Sequence, residues 1–236
     1  MSTYRVDFGR PIALFPLPGV PLLPHALTPF HIFEPRYRQM IEHALAEGGG
    51  ELERADPIGF AVVDEVSADG DRTSIRDAVC IGRITRLERY KDGRFDIVVH
   101  GICRARIDDL DLPDSNRLYL RGWLRPLESE TGVGPVMPEV RRTIRSLLRN
   151  PRLSRLSHGE FARQLMDKEE VPTTAILDLI GFTVLQDPAL RYQMLAEADC
   201  RNRAATLTRE LQELDRLVGL VDRQSPASWP KGLSWN

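Results

Sequence analysis

Apolar positions along the chain change their period partway through. Residues 12–33 are short apolar segments broken by Pro16, Pro18, Pro21, Pro24 and Pro29. Proline removes a ladder donor, so these segments predict edge or bulged strands joined by turns, one of them at Pro18-Gly19. A helix is expected from Glu34-Pro35. Proline at the first helical position gives up an N–H that has no partner there, and the acidic residue before it suits the positive end of the helix dipole. Tyr37, Ile41, Ala44 and Leu45 then repeat at helical spacing, and Gly48, Gly49 and Gly50 end the run. After a loop at 51–57, residues 58–65 read as a short buried strand and 66–77 as a loop with a brief strand.

The hairpin that follows is the most legible element. Residues 79–89 and 95–108 flank Lys91-Asp92-Gly93-Arg94, where Asp-Gly supplies the positive φ angles of a tight turn. In the second arm Phe95, Ile97, Val99, Gly101, Cys103, Ala105 and Ile107 alternate with mostly polar residues, among them Asp96, His100, Arg104, Arg106 and Asp108. Period two means one buried face and one polar face. The first arm changes phase near Gly82, which predicts a bulge. A last strand is expected over 118–126, with Leu118, Leu120, Gly122 and Leu124 on one face and Tyr119, Arg121, Trp123 and Arg125 on the other.

Beyond a linker at 127–138 the pattern is helical. One helix covers 139–148 and stops at Asn150-Pro151; others cover 157–168 and 173–185, the latter apolar nearly all round and therefore central. A final helix opens at Asp187-Pro188, a cap followed by proline, and runs toward Val221. Leu207, Leu211, Leu214, Val218 and Val221 form a row along it that fits packing within the helical part or a dimer seam. The pattern predicts an α+β chain, with a β-rich part at 10–127, a helical part at 135–222 and a flexible tail at 223–236.

Composition narrows the function. With 236 residues, 42% hydrophobic and 28% charged, the chain has the balance of a soluble globular protein. A net charge of −2 argues against a dedicated nucleic-acid binder. Cys80, Cys103 and Cys200 are too scattered for a disulfide framework, the N-terminus lacks an apolar leader, and prolines interrupt the most apolar stretch. These features predict a cytoplasmic protein with no membrane span. No phosphate loop, GxSxG, HExxH or CxxC occurs. The only lysines, Lys91, Lys168 and Lys231, lie in polar surroundings that would not lower a lysine pKa for a Ser–Lys dyad. His100 and Cys103 fall on opposite faces of their strand, and Cys103 reads as a small core residue. No catalytic residue, metal or cofactor is expected, and the chain is read as not an enzyme.

One window carries a family signature. Residues 12–45, IALFPLPGVPLLPHALTPFHIFEPRYRQMIEHAL, combine an apolar strand, Pro-Leu-Pro-Gly, a short strand with proline, and Pro29-Phe30-His31-Ile32-Phe33-Glu34-Pro35-Arg36-Tyr37 leading a helix. This resembles the opening of the substrate-binding domain found at the N-terminus of Lon proteases. The likeness continues through Ile81-Gly82-Arg83-Ile84, Asp92-Gly93-Arg94-Phe95 and residues 99–107, and into Ala196-Glu197-Ala198-Asp199 and Arg203-Ala204. The resemblance implies a PUA-like β pseudo-barrel with one helix followed by a C-terminal helical bundle, in a stand-alone form without the ATPase and protease domains. It also implies a non-catalytic polypeptide-recognition role, as an adaptor or regulator in proteolysis. The partners would be unfolded or degron-bearing polypeptides, with a Lon protease as a candidate. The alternative is an RNA- or nucleic-acid-binding PUA-like protein.

Three surfaces are candidates for binding. The first is the start of the helix at Phe33, Glu34, Arg36, Tyr37 and Arg38, which is either a docking edge or a structural pin in which Phe33 and Tyr37 hold the helix to the sheet and Glu34 caps it. The second is the outward face of 118–126, where Tyr119, Arg121 and Trp123 interleave aromatic and guanidinium groups, unless the aromatics are covered by helices. The third is the row Arg141, Arg145, Arg149, Arg152 and Arg155, a binding stripe or a solvated face.

Overall fold

The alternating hairpin arm becomes the longest strand, and the sheet is organised around it. In the computed structural model, which describes residues 5–19, 21–63, 75–128, 137–154 and 159–223, the strands are β1 (Ile12–Pro18), β2 (Leu27–Ile32), β3 (Ile58–Val63), β4 (Ile75–Arg89), β5 (Phe95–Asp111) and β6 (Arg121–Pro126). The helices are α1 (Pro35–Glu47), α2 (Pro138–Leu148), α3 (Pro151–Ser154), α4 (Gly159–Met166), α5 (Thr173–Val184), α6 (Pro188–Ala196) and α7 (Cys200–Arg223). The chain divides into two compact units. One holds the sheet, α1 and residues 185–199; the other holds 134–184 and the chain from Cys200. The architecture is α+β, a near-barrel ring of strands with one helix followed by a set of helices. The tail at 223–236, the linker core at 129–136, and most of the polar loop at 66–77 lie largely or wholly outside the described residues.

The strand order is β2-β5-β4-β3-β1-β6, and β5 also pairs with β6. That last pairing closes β5, β4, β3, β1 and β6 into a ring and leaves β2 attached to β5 alone. Inside the ring Ile12, Leu14, Ala61, Val79, Ile81, Ala105 and Leu124 form a core, with Cys103 and Ile107 packed against it. A second, aromatic cluster ties α1 to β1, β2 and β3. The Phe15 ring lies 4.3 Å from that of Tyr37 and 5.6 Å from that of Phe60, and Phe30 stacks on Phe60 at 5.3 Å. Such pairs add directional stabilisation to the area they bury.

The bulge expected near Gly82 is present. Ile81 pairs with Cys103 but Gly82 pairs with Gly101, so Ile102 has no partner; a second slip leaves Thr85 unmatched between Ile84 and Arg86. At the first slip two glycines face each other across the ladder. The bare Gly101 allows the segment before β2 to lie on the sheet, with the Gly101 N–H donating to Ala26 O at 2.9 Å and the His25 N–H to Gly101 O at 2.8 Å. A Cβ on Gly101 would collide with the Leu23 carbonyl.

Several expectations are corrected. β1 is not an edge strand: it runs parallel to β3 and antiparallel to β6. Its prolines are tolerated because β6 pairs only with Ile12 and Ala13, so Pro16 and Pro18 have a ladder on one side only. β6 begins at Arg121 rather than 118, and the phase breaks before it: Leu118 is exposed and Tyr119 buried. The cause is a loop held to α1 rather than to a strand. Gln39 accepts from the Leu118 N–H at 2.7 Å and donates to Asn116 O at 3.0 Å. Arg104 keeps its place on the face opposite Ala105, but that face is not solvent, and Arg104 is 1% exposed. It donates to Met194 O of α6 at 3.3 Å and to Glu128 at 3.1 Å. The helix expected from Asp187 to Val221 is two helices, α6 and α7. Asp187 caps α6 as predicted, accepting from the Ala189 N–H at 2.8 Å. The break comes where Glu197 turns extended and its carboxylate accepts from the Asp199 N–H at 2.8 Å.

In the helical unit α5 is central as expected, burying Ala175, Ile176, Leu177, Ile180 and Gly181. It also buries Asp178, which faces Arg203 of α7 at 3.6 Å with both side chains 2% exposed. Of the apolar row on α7, Leu207 and Leu211 are buried, whereas Val221 is exposed.

Gly101→Ala is expected to lower stability by about 3 kcal/mol through overpacking against backbone that cannot yield, read as a drop in the urea midpoint with m unchanged. Arg104→Leu is expected to cost about 2–3 kcal/mol, because Met194 O and Glu128 lose a charged donor. The same urea titration checks it, and a loss below the scatter of surface substitutions would refute a role for Arg104 in holding α6 to the sheet.

Candidate polypeptide-binding surface

The start of α1 separates its candidate residues by role. Tyr37 is 5% exposed; its ring meets Phe15 and its hydroxyl donates to Pro16 O at 3.4 Å. Burial raises its pKa, keeping the phenol neutral. Tyr37 therefore anchors the helix. Phe33 does not: it is 61% exposed. Glu34 occupies the N-cap position without a side-chain cap bond; its carboxylate instead takes Arg36 at 2.7 Å, and the Arg36 guanidinium lies 4.5 Å from the Tyr37 ring centre. Arg38 reaches the β4–β5 turn, donating to Asp92 O at 3.2 Å. Phe33 and Arg36 are exposed, Glu34 and Arg38 half-buried, and Tyr37 alone of this group is buried.

The face of β6 is split as well. Tyr119 is 6% exposed and its hydroxyl lies 3.0 Å from His43 Nδ1. It lines a cleft of about 600 Å³ with Arg10, Met40, His43, Asp56 and Arg121. Arg121 binds Asp111 at 2.6 Å, Arg10 binds Asp56 at 2.5 Å, and Arg125 binds Asp108 at 2.7 Å. The buried Arg117 bonds Asp111 at 3.0 Å and Leu112 O at 2.6 Å, and also reaches Tyr119 O. Trp123, 44% exposed, stands outward between Arg121 and Arg125. The guanidinium groups beside it are already neutralised by aspartates.

The third row is largely structural. Arg141 donates to Val171 O at 3.0 Å and Met166 O at 3.3 Å and also reaches Lys168 O; Arg145 donates to Met166 O at 2.8 Å. These carbonyls sit at and beyond the C-terminal end of α4, the negative end of its dipole. Arg155 lies outside the described residues.

A surface that sequence reasoning missed lies on the outer face of β2, β5 and β4. A groove of about 360 Å³ there is lined by Pro29, His31, Asp96, Val98, Arg86 and Glu88, among others. At one end Asp96 takes His31 Nδ1 at 2.6 Å and the Tyr90 hydroxyl at 2.5 Å. These two bonds hold the Asp96 carboxyl below its ordinary range, and the bond to Asp96 raises the Tyr90 phenol. Phe33 packs over His31 with ring centres 6.1 Å apart. Farther along β5, burial, then His25 and Arg83, push the His100 imidazole below its ordinary pKa. The available signal was the alternation along residues 95–108; that Pro29 lies beside Val98 and His31 beside Asp96 is set by the β2–β5 register, which the sequence does not show.

This ring of strands followed by helices can be compared with known proteins. A family model for the ATP-dependent protease La (LON) substrate-binding domain matches residues 11–213. The chain belongs to that family. The match covers nearly the whole 236 residues, and within them only the substrate-binding domain is seen, with no ATPase or protease domain. The N-terminal domain of the Mycobacterium avium complex Lon protease is 16% identical over 88% of this chain and 98% of that chain, with a TM-score of 0.58. A Lon N-terminal domain protein from Xanthomonas campestris is 18% identical over 84% and 96%, with a TM-score of 0.58. At these identities the likeness is one of fold. No curated protein matches the chain significantly.

Among the described residues no group of three or more His, Cys, Asp or Glu side chains is placed to hold a metal, and no helix is long and apolar enough to cross a membrane. Burial pushes the Cys103 thiol up to about 11, so it is not a nucleophile at neutral pH.

A histidine whose folded pKa is depressed resists charging in the folded state. Stability is therefore full above the ordinary histidine pKa and falls as pH drops through the lower folded value. His100→Gln is expected to abolish that part of the loss, so its melting temperature should gain on the wild type only below about pH 6.5. A gap that does not change from pH 7.5 to 5 would contradict this.

Proposed function

We propose that this Lon substrate-binding domain is a non-catalytic polypeptide-recognition module acting in proteolysis as an adaptor or regulator. Its ligands are unfolded or degron-bearing chains, and a Lon protease is its candidate partner. The family match across residues 11–213 carries this reading. The surface supports it: Leu27, Phe33 and Trp123 stand exposed on the sheet unit, and large apolar side chains left in solvent favour contact with other apolar chains.

The nucleic-acid alternative fares worse. A phosphate-tracking surface needs unneutralised cations in a row. Arg121 and Arg125 are each bound to aspartate, and Arg141 and Arg145 are bonded to backbone carbonyls.

The test is fluorescence anisotropy of a labelled protein held unfolded by reduction and alkylation, with its native form as control. Saturable binding of the unfolded form alone is the expected result. Equal binding of both forms, binding of neither, or salt-sensitive binding of mixed RNA in their place would overturn the reading.

A further inference from the structure

Of residues 21–26, which lead into β2, only His25 is exposed. Among the described residues it is also the one residue other than glycine with a positive φ, 66°. A side chain in that left-handed region costs free energy and stays there only where its surroundings fix it. Two hydrogen bonds to Gly101 of β5 do so. The His25 N–H donates to Gly101 O at 2.8 Å, and the Gly101 N–H donates to Ala26 O at 2.9 Å.

The ladder that carries Gly101 is interrupted at this point. The pairs Gly82–Gly101 and Arg83–His100 stand beside the slip that leaves Ile102 unmatched. His100 lies directly opposite Arg83 on β4 and Leu27 on β2. A neutral imidazole fits between an apolar side chain and a cation. A protonated one sets like charges opposite each other across a strand pair, which destabilises the pair. Burial, then His25, then Arg83 disfavour the charged form of His100, and among the described residues no acidic group offsets them. The acidic residue nearest along β5 on the same face, Asp96, is engaged by His31 and Tyr90.

We propose that His100 is a pH-sensitive latch on the ladder at Gly101. Neutral, it leaves residues 25 and 26 bonded to β5; protonated opposite Arg83, it loosens that end of the segment and the start of β2. The movement is local. Leu22 and Leu23 are 2% and 0% exposed, and freeing either would put a whole leucine side chain into water. They hold the segment on the sheet while the His25–Leu27 end opens. An imidazole disfavoured in its charged form stays neutral at and above the ordinary histidine pKa of about 6.5. The latch therefore holds above that pH and yields as pH falls through the lower folded value.

The experiment is amide hydrogen exchange of the full chain, read as protection factors so that the intrinsic pH dependence of exchange is removed. From about pH 7.5 to about pH 5, protection of the Gly101 and His25 amides is expected to fall about tenfold relative to the Leu14 amide. Leu14 serves as the reference because its N–H is bonded to Leu120 O at 2.8 Å elsewhere on the sheet. The fall should follow the titration of the His100 imidazole, read by NMR on the same samples. His100→Gln, uncharged at both pH values, should abolish it. His25→Asn, whose side chain tolerates a positive φ, should retain it, because the titrating group is His100. No fall, a fall shared equally by Leu14, one that persists in His100→Gln, or one that disappears in His25→Asn would overturn the latch.

Discussion

The sheet depends on one close approach. β5 serves three strands, pairing with β2 and β4 along its first half and with β4 and β6 along its second. A strand cannot change partners on one side without bending, and β5 does so beside the unmatched Ile102, where Gly101 faces Gly82. With no side chain on Gly101, the segment before β2 can lie against the ladder and bond to it, while the bare Gly82 leaves room for Val99 and Phe60. Upstream of that point β2 joins as an edge; downstream β6 closes the ring. The open edge of β2 and the groove beside it follow from the same bend that closes the core.

Arginine use explains why several guanidinium groups of the described residues are not free to meet a ligand. Arg104, Arg117, Arg141 and Arg145 are spent on backbone carbonyls that helix ends and irregular loops leave unpaired. A rigid fork of donors can satisfy several such acceptors at once, which a lysine cannot do. Others are paired to aspartates across β5 and β6. Sequence spacing shows where an arginine lies on an element but not which carbonyl waits for it, so Arg141 and Arg145, in a row read as a binding stripe or a solvated face, prove to be bonded to carbonyls at and beyond the end of α4.

The family signature holds both a buried anchor and exposed side chains. Tyr37, in the middle of the signature, is an anchor in an aromatic cluster; Phe33, four residues earlier, is exposed and touches only the surface ring of His31 among the aromatic side chains described. A motif recurs for folding as readily as for binding, and here it supplies the helix that braces the ring. The polypeptide-binding role attaches to the Lon substrate-binding domain as a whole.

Local physics in the sequence determined a good deal: α1 and its proline start, the hairpin and its Asp-Gly turn, the bulge near Gly82, the cap at Asp187, and the order of strands before helices. Each depends on neighbours within a few residues, through capping, turn geometry or alternation. Tertiary structure decided the rest. It made β1 interior, covered the polar face at Arg104 with α6, and turned Leu118 outward and Tyr119 inward. It also split the last long helical pattern at Glu197 and drew Pro29, Val98 and Arg86 into one groove. These outcomes turn on which distant segment arrives at a face or a carbonyl, and alternation within a strand names two faces without saying what will cover either.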